Sequence, residues 1–395
     1  MAERCTYKMF VSWSIYPRIL CRSTCKGSLT SWYPVFGALI LVLLLVLQLS
    51  MSVLLKTDDR PTDNYVQHVV RKLTELEYAN LEAKSVSSNR AGSNIIDLCD
   101  AFPHALEGKI EPLSLLKTFP EVRPGGFWRP TDCEPRHTVA IVVPYRDRLE
   151  HLEIFLKYIH TILFRQKLEY RIFIVEQATG CTFNRGMLMN IGFLEAMKHG
   201  NFSCIVFHDV DLLPEMDDNL YSCSVTPKHM SVNIDKFDYR IPYDSLFGGV
   251  VAFSKDHFKF INGFANRYFG WGGEDDDIKR RVDNRGLTVI RPPDSVARYS
   301  MLKHGAEAGN KANPIRYFEM KRALEVQNVD GLSSMAFNPN MYKVLDTKLM
   351  DLYTKITVEI HKIEVLKVLP TLFPIRPRHP WISSKFRKFI AKEKT

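Results

Sequence analysis

Residues 139–143 read Val-Ala-Ile-Val-Val and run directly into Pro144-Tyr145-Arg146-Asp147-Arg148. A continuous apolar run ended by proline is the pattern of a strand buried on both faces, as in a parallel sheet. The residues after it have a different period. Leu152, Phe155, Leu156, Ile159 and Ile162 recur at helical spacing across residues 149–165. Residues 170–175 read as a second strand, 184–198 as a second helix, and Cys204-Ile-Val-Phe-His208 as a third strand. The alternation β-α-β-α-β predicts an α/β fold with parallel strands and right-handed crossovers. No Gly-x-Gly-x-x-Gly follows the first strand, so a dinucleotide-binding fingerprint is absent.

Ligands of open α/β sheets bind beyond the carboxyl ends of the strands, and the informative motifs lie there. The third strand ends in Asp209-Val210-Asp211. Further on comes Gly270-Trp271-Gly272-Gly273-Glu274-Asp275-Asp276-Asp277. Four consecutive carboxylates repel one another, and a helix N-terminus near Ile278 accounts for only one or two of them. The glycines allow close backbone approach to a ligand, and Trp271 offers a flat apolar face for a sugar or a base. Two acid clusters at the ends of ordered elements suggest one divalent metal and one catalytic base. Arg146 and Arg148 suit an anionic phosphate in forked geometry, with a surface ion pair to Asp147 or Glu150 as the alternative. Phe183-Asn184-Arg185 sets a stacking ring beside another guanidinium just before a helix. With Asp211, this set describes a nucleoside diphosphate bridged by a metal. Met301 and His304 lie downstream, but spacing alone does not single them out as ligands.

The chain has 395 residues and 46% hydrophobic content, room for one large domain and accessory segments. Residues 33–55 carry no charge and are rich in Leu and Val, long enough to span a bilayer. Arg4, Lys8, Arg18, Arg22 and Lys26 precede that run against Glu3, which predicts residues 1–32 as a cytosolic tail and the rest as lumenal. The run is too long for a cleaved leader. The net charge of +9 resides at the two ends, the last 25 residues holding seven Lys or Arg against Glu393. That distribution excludes a folded nucleic-acid face. The basic end suits solvent or contact with acidic lipid or protein. Residues 56–95 read as a stem, with Val66, Val69, Leu73 and Leu76 at heptad-like spacing. Two heptads are too few to establish a coiled coil, so a homodimer or a membrane partner protein stays open. A catalytic domain is expected over 96–350 and a basic tail of unknown role over 351–395. Cys5, Cys21 and Cys25 fall on the cytosolic side. Cys99, Cys133, Cys181, Cys204 and Cys223 fall where disulfides can form, and their odd number leaves one over. Asn201-Phe202-Ser203 is a glycosylation sequon.

Pro144-Tyr-Arg-Asp-Arg148, Phe183-Asn-Arg185, Asp209-Val-Asp211, the Trp271 acid motif and Met301-x-x-His304 stand in the order and spacing of the animal β-1,4-galactosyltransferase family, which the chain resembles from Cys99 to Met335. The resemblance implies a GT-A-type, Rossmann-like domain behind a Golgi signal anchor. It implies Mn2+-dependent, inverting transfer from a UDP-sugar to the 4-hydroxyl of N-acetylglucosamine, glucose or xylose. By motif, Asp211, Met301 and His304 resemble the metal ligands, Met301 on the resemblance alone, since a hard cation prefers oxygen. Pro144, Arg146, Arg148, Phe183, Asn184, Arg185, Val210 and Lys236 resemble the UDP contacts. Trp271 resembles the lid over both substrates. Gly273, Glu274, Asp275, Asp276 and Arg316 resemble the acceptor site, with Asp275 as general base. Residues 302–322, with Gly305, Gly309, Asn310 and Asn313, are expected to form a mobile lid. Cys99–Cys133 and Cys204–Cys223 resemble the family's disulfides, leaving Cys181 free.

One departure bears on the sugar donor. Vertebrate galactosyltransferases carry tyrosine where this chain has Leu246. A smaller aliphatic residue leaves room for an acetamido group, as in invertebrate β-1,4-N-acetylgalactosaminyltransferases. The expected donor is therefore UDP-GalNAc, giving GalNAcβ1,4GlcNAc on glycolipid or glycoprotein glycans. UDP-Gal is the alternative. Intact Asp211, His304 and Asp275 argue against a lumenal protein that binds glycans without catalysing.

Overall fold

Residues 139–143 lie inside an eight-stranded sheet, which builds outward from them on both sides. The computed structural model describes residues 97–103, 105–110, 118–303 and 310–372. The strands in chain order are β1 (Phe127–Trp128), β2 (Thr138–Tyr145), β3 (Glu169–Gln177), β4 (Cys204–His208), β5 (Leu212–Pro214), β6 (Lys228–His229), β7 (Asn233–Ile234), β8 (Val250–Ser254), β9 (Arg298–Met301), β10 (Tyr342–Leu349) and β11 (Thr354–Ile360). The helices are α1 (Leu149–Arg165), α2 (Arg185–His199), α3 (Lys255–Phe260), α4 (Glu274–Asn284), α5 (Arg316–Val326), α6 (Leu332–Phe337) and α7 (Lys362–Leu372). The main sheet runs β10-β11-β3-β2-β4-β8-β6, with β1 also on β3. β11, β3, β2 and β4 are mutually parallel, and β8 closes antiparallel on β4.

The period-two geometry of β2 divides its side chains between two cores. Val139, Ile141 and Val143 pack with Leu152, Phe155 and Ile159 of α1. Ala140 and Val142 pack with Met187, Leu188 and Ile191 of α2 on the other face. Each fully buried Val, Leu, Ile or Phe contributes about 1.5–3 kcal/mol, so this layering dominates the stability of the domain. Gly192 lets α2 sit close on the sheet. A β-carbon there would lie 2.3 Å from Val142 Cγ1 and 2.8 Å from Val175 Cγ2. That approach sets the N-terminus of α2 beside the strand ends.

A second sheet, β5-β9-β7, stands apart. β5 pairs antiparallel with β9 in the register Leu212↔Met301, and β7 runs parallel to β9. It joins the end of the Asp209-Val210-Asp211 motif to the strand that ends in Met301.

The sequence placed the domain's end at residue 350. The structure extends it. Thr354–Ile360 lies parallel to β3, with Thr354↔Phe173 and Val358↔Gln177 in register. Thr354, Ile356, Val358 and Ile360 are buried, and Val365, Leu366 and Val368 of α7 join the core on the α2 side. The alternation of Thr-Lys-Ile-Thr-Val-Glu-Ile carries the signal, and its charged outward residues conceal it. Cys99–Cys133 and Cys204–Cys223 form, and Cys181 lies in neither disulfide. No helix among the described residues is long and apolar enough to cross a membrane. The predicted anchor at 33–55 and the stem lie outside the described residues, as do residues 373–395.

Candidate active site

The carboxyl end of β4 and the N-terminus of α4 meet the N-terminus of α2 around one guanidinium. Arg185 Nε donates to Asp209 Oδ1 at 2.7 Å, Nη1 to Glu274 Oε1 at 3.4 Å, and Nη2 to the Gly249 carbonyl at 3.3 Å. It therefore ties the two acid clusters together. Arg185, expected among the UDP contacts, has its fork on two carboxylates and a carbonyl of the protein. Burial alone would lower its pKa, and Asp209, Glu274 and Asp275 reverse that to a net rise.

Asn184 also serves the fold. It caps α2 by accepting from Met187 N at 3.0 Å, and its amide donates to the Asn266 carbonyl at 2.7 Å. Both polar ends of its buried side chain are thus occupied. Phe183 and Arg146 remain as a pair, the guanidinium carbon lying 5.0 Å from the ring centroid. Arg146 Nη1 donates to the Cys181 carbonyl at 3.1 Å. The backbone of Arg148 is fixed by the Tyr145 hydroxyl at 3.1 Å. Pro144 and Tyr145 close the buried run of β2, and Val210 is buried between the two aspartates.

The Asp209–Asp211 end of the site is electrostatically loaded. Burial first, and Asp211 beside it, push the Asp209 carboxyl up to about 6 against the pull of Arg185. The Asp211 carbonyl accepts from Leu302 N at 2.7 Å, which fixes it beside the end of β9. Met301 N donates to Asp235 Oδ1 at 2.8 Å. A cavity of about 550 Å³ is lined by Asp235, Lys236, Met301, Leu302 and Lys303. Met301 and Lys236 thus line one cavity with Leu302, which the Asp211 carbonyl holds. His304 lies outside the described residues, and no trio of His, Cys, Asp or Glu side chains gathers into a metal site among those described. A cation fits the excess negative charge at Asp209 and Asp211, with one hard carboxylate and one soft thioether at hand.

Four acids open α4, and they diverge. Gly273, at φ 103°, turns the chain into the helix in a conformation that disfavours other residues. Glu274 is buried against Arg185, and burial first, then Asp275, push its carboxyl up to about 7. Asp275 lies against the backbone of Gly248, where a β-carbon would sit 3.1 Å from Oδ2. Asp276 accepts from the Tyr243 hydroxyl and is raised by burial first and by Asp275 second. Asp277 belongs to the core. It accepts from Arg281 Nε at 2.5 Å and Tyr268 OH at 2.9 Å. Tyr243 is a residue that sequence reasoning passed over. It stands in a loop with no periodicity to mark it, and its contact with Asp276 exists only in three dimensions.

Trp271 is 62% exposed, its backbone bridged to Lys311 and Asn313 by bonds of 3.0 Å. The guanidinium of Arg316, at the start of α5, lies 5.8 Å from its ring. The expected lid is thus held near Trp271 from residue 311 onward, while residues 304–309 lie outside the described residues. Leu246 is half-buried two residues before Gly248, and its carbonyl accepts from Arg291 at 3.1 Å. Asn201 is exposed, and its side chain accepts from Lys255 at 2.8 Å.

Paired strand-end carboxylates, an arginine–aromatic pair and an exposed tryptophan before a helix of acids make this the site of a nucleotide-sugar-transferase-type protein. Residues 105–224 match the family model described as the N-terminal region of glycosyl transferase group 7, and residues 228–305 match the N-terminal domain of galactosyltransferase. Mouse β-1,4-galactosyltransferase 1 is 47% identical over 62% of this chain and 60% of its own length. Rat β-1,4-galactosyltransferase 3 is 39% identical over 79% of each chain. The chain belongs to the β-1,4-galactosyltransferase family, glycosyl transferase group 7. Its alignment spans about three-fifths of the mouse protein's length. The catalytic domain of Drosophila β-1,4-galactosyltransferase 7, solved with xylobiose, is 31% identical over 57% of this chain and 94% of that one, with a TM-score of 0.47. A mutant of that enzyme was solved with manganese, UDP-Gal and xylobiose.

Proposed function

We propose that this chain is an inverting β-1,4-glycosyltransferase that moves galactose from UDP-Gal to the 4-hydroxyl of a terminal sugar such as N-acetylglucosamine, anchored in the Golgi membrane by residues 33–55. The observation that carries the reading is the Arg185 bridge, which joins the Asp209–Asp211 end to the helix that bears Asp275. The names of the aligned relatives support galactose as the sugar.

Arg146 and Arg148 hold the diphosphate, with Phe183 beside Arg146 for the base. A divalent cation such as manganese, held by Asp211 and Met301 with His304 as the implied third ligand, would supply counter-charge for the leaving diphosphate. Asp275 takes the proton of the acceptor hydroxyl as its oxygen attacks the anomeric carbon from the opposite face. A single displacement converts an α-linked donor into a β-linked product. Glu274, fixed by Arg185, keeps the neighbouring backbone in place. Asp276, Tyr243, Arg316 and the open face of Trp271 receive the acceptor sugar.

Leu246 supports a second reading, with UDP-GalNAc as donor, because a half-buried aliphatic side chain beside the Gly248–Asp275 contact leaves room for an acetamido group. The full-length chain in detergent, given manganese, a GlcNAc-terminated acceptor and equal UDP-Gal and UDP-GalNAc, tests both. Galactose in the product supports the first reading and GalNAc the second. Product from neither donor sinks both. In Leu246→Tyr the ratio of Gal to GalNAc transfer should rise by about tenfold or more.

A further inference from the structure

Arg267 is only 3% exposed and lies four residues before Trp271. Its Nε and Nη2 donate to Glu319 Oε2 and Oε1 at 3.3 and 3.2 Å. Its Nη1 donates to the Leu366 carbonyl at 3.2 Å. One guanidinium therefore connects three pieces of chain. The first is the segment entering Trp271 and the acids. The second is α5, where Glu319 follows Arg316 by three residues. The third is α7, which also sets Lys362 Nζ 4.9 Å from the Phe269 ring.

A buried ion pair is a poor way to gain stability, since apolar residues of similar volume often serve as well or better. What a two-pronged guanidinium–carboxylate pair does supply is a fixed distance and angle between its partners. That matters here because the two acceptor-side elements touch with little slack. A β-carbon on Gly272 would lie 3.2 Å from Arg316 Cδ, and one on Gly273 3.3 Å from Arg316 Cβ. A small slide of α5 would move Arg316 off Trp271, while the Asp209–Asp211 end of the site would be untouched.

We propose that Arg267 is a positioning residue for the acceptor: with Glu319 and the Leu366 carbonyl it sets the spacing between the Trp271–Asp275 segment and Arg316. The C-terminal helix α7 thereby belongs to the acceptor half of the site. This rests on the transferase reading of the site.

The test is steady-state kinetics on the full-length chain in detergent with manganese, a GlcNAc-terminated acceptor and whichever UDP-sugar it uses. The variants are the double substitution Arg267→Met with Glu319→Met, which removes the ion pair without leaving a buried charge, and Arg267→Lys. The double variant should melt close to the parent and keep its KM for the UDP-sugar within about twofold, while its acceptor KM rises about tenfold or more. Arg267→Lys, which keeps the charge and loses the fork, should fall between. An acceptor KM within twofold of the parent in the folded double variant overturns the proposal. So does a parallel rise in both KM values, which marks a merely structural role. Should the double variant melt early, Arg267→Lys decides, and an unchanged acceptor KM there overturns it. A parent chain that transfers neither sugar removes the transferase reading and this proposal together; an active parent with unaffected variants removes the proposal alone.

Discussion

At the end of β4, Asp209 and Asp211 are separated by one buried valine; at the start of α4, four carboxylates follow without a break. The first pair shares one neighbourhood. Burial first, and Asp211 among the nearby charges, raise Asp209 to about 6. The quartet does not share one. Successive helical residues point about 100° apart, so Glu274 meets Arg185, Asp275 meets Gly248, Asp276 meets Tyr243, and Asp277 meets Arg281 and Tyr268. A row of acids in a helix is therefore several sites, and two acids at a strand end can be one. Arg185 touches both groups, which makes their separation a property of the whole fold.

Substitutions that treat the acids as equivalent should fail to behave equivalently. Asp275→Asn should lower transfer by about a hundredfold to ten-thousandfold with UDP affinity retained, measured as turnover and UDP binding on one preparation; near-normal turnover would remove Asp275 as the base. Chelating the metal acts on the strand-end pair instead. It should lower activity by about a hundredfold or more, restored by manganese and not restored in Asp211→Asn.

Asp277→Asn should behave differently again. It breaks the direct ion pair of Arg281, which is 0% exposed, and should cost about 3–5 kcal/mol of stability in denaturant unfolding. A variant as stable as the parent would place Asp277 with its neighbours in the site. The smallest effect belongs to Glu274. Its pKa is raised from an ordinary 4.5 to about 7, so the folded chain holds a proton there that the unfolded chain has released. Its contribution is full below pH 4.5 and is lost as pH rises towards 7, on the order of 1–3 kcal/mol. Glu274→Gln should flatten that part of the stability profile. An unchanged slope between pH 4.5 and 7 would show that Arg185 holds Glu274 ionised.

The legibility of the chain tracks the range of the contacts involved. α1 and β4 begin and end where the sequence read them, because a buried helix face and a short apolar run are written in adjacent residues. β11 was missed because its partner β3 lies far back in the chain and its outward residues include Lys355 and Glu359. β8 was missed for the same reason, being recruited by β4 from across a long loop. In the candidate site, the motifs and the resemblance they carry singled out Asp211, Met301, Lys236, Trp271 and Arg316. Arg185 and Asn184 have residue types that suit a phosphate site, and in the fold they bond Asp209, Glu274 and the Asn266 carbonyl.

By itself the sequence determined an α/β domain with a parallel core, a charge-free stretch at 33–55, and two acid motifs at the ends of ordered elements. It could do so because side-chain period and local composition decide which faces become buried. Only the tertiary structure decided which acid meets which partner, that residues 354–372 complete the domain, and that one arginine joins both halves of the site. Those outcomes depend on groups brought together across tens to hundreds of residues, and a hydrogen bond between them leaves no local mark on the chain.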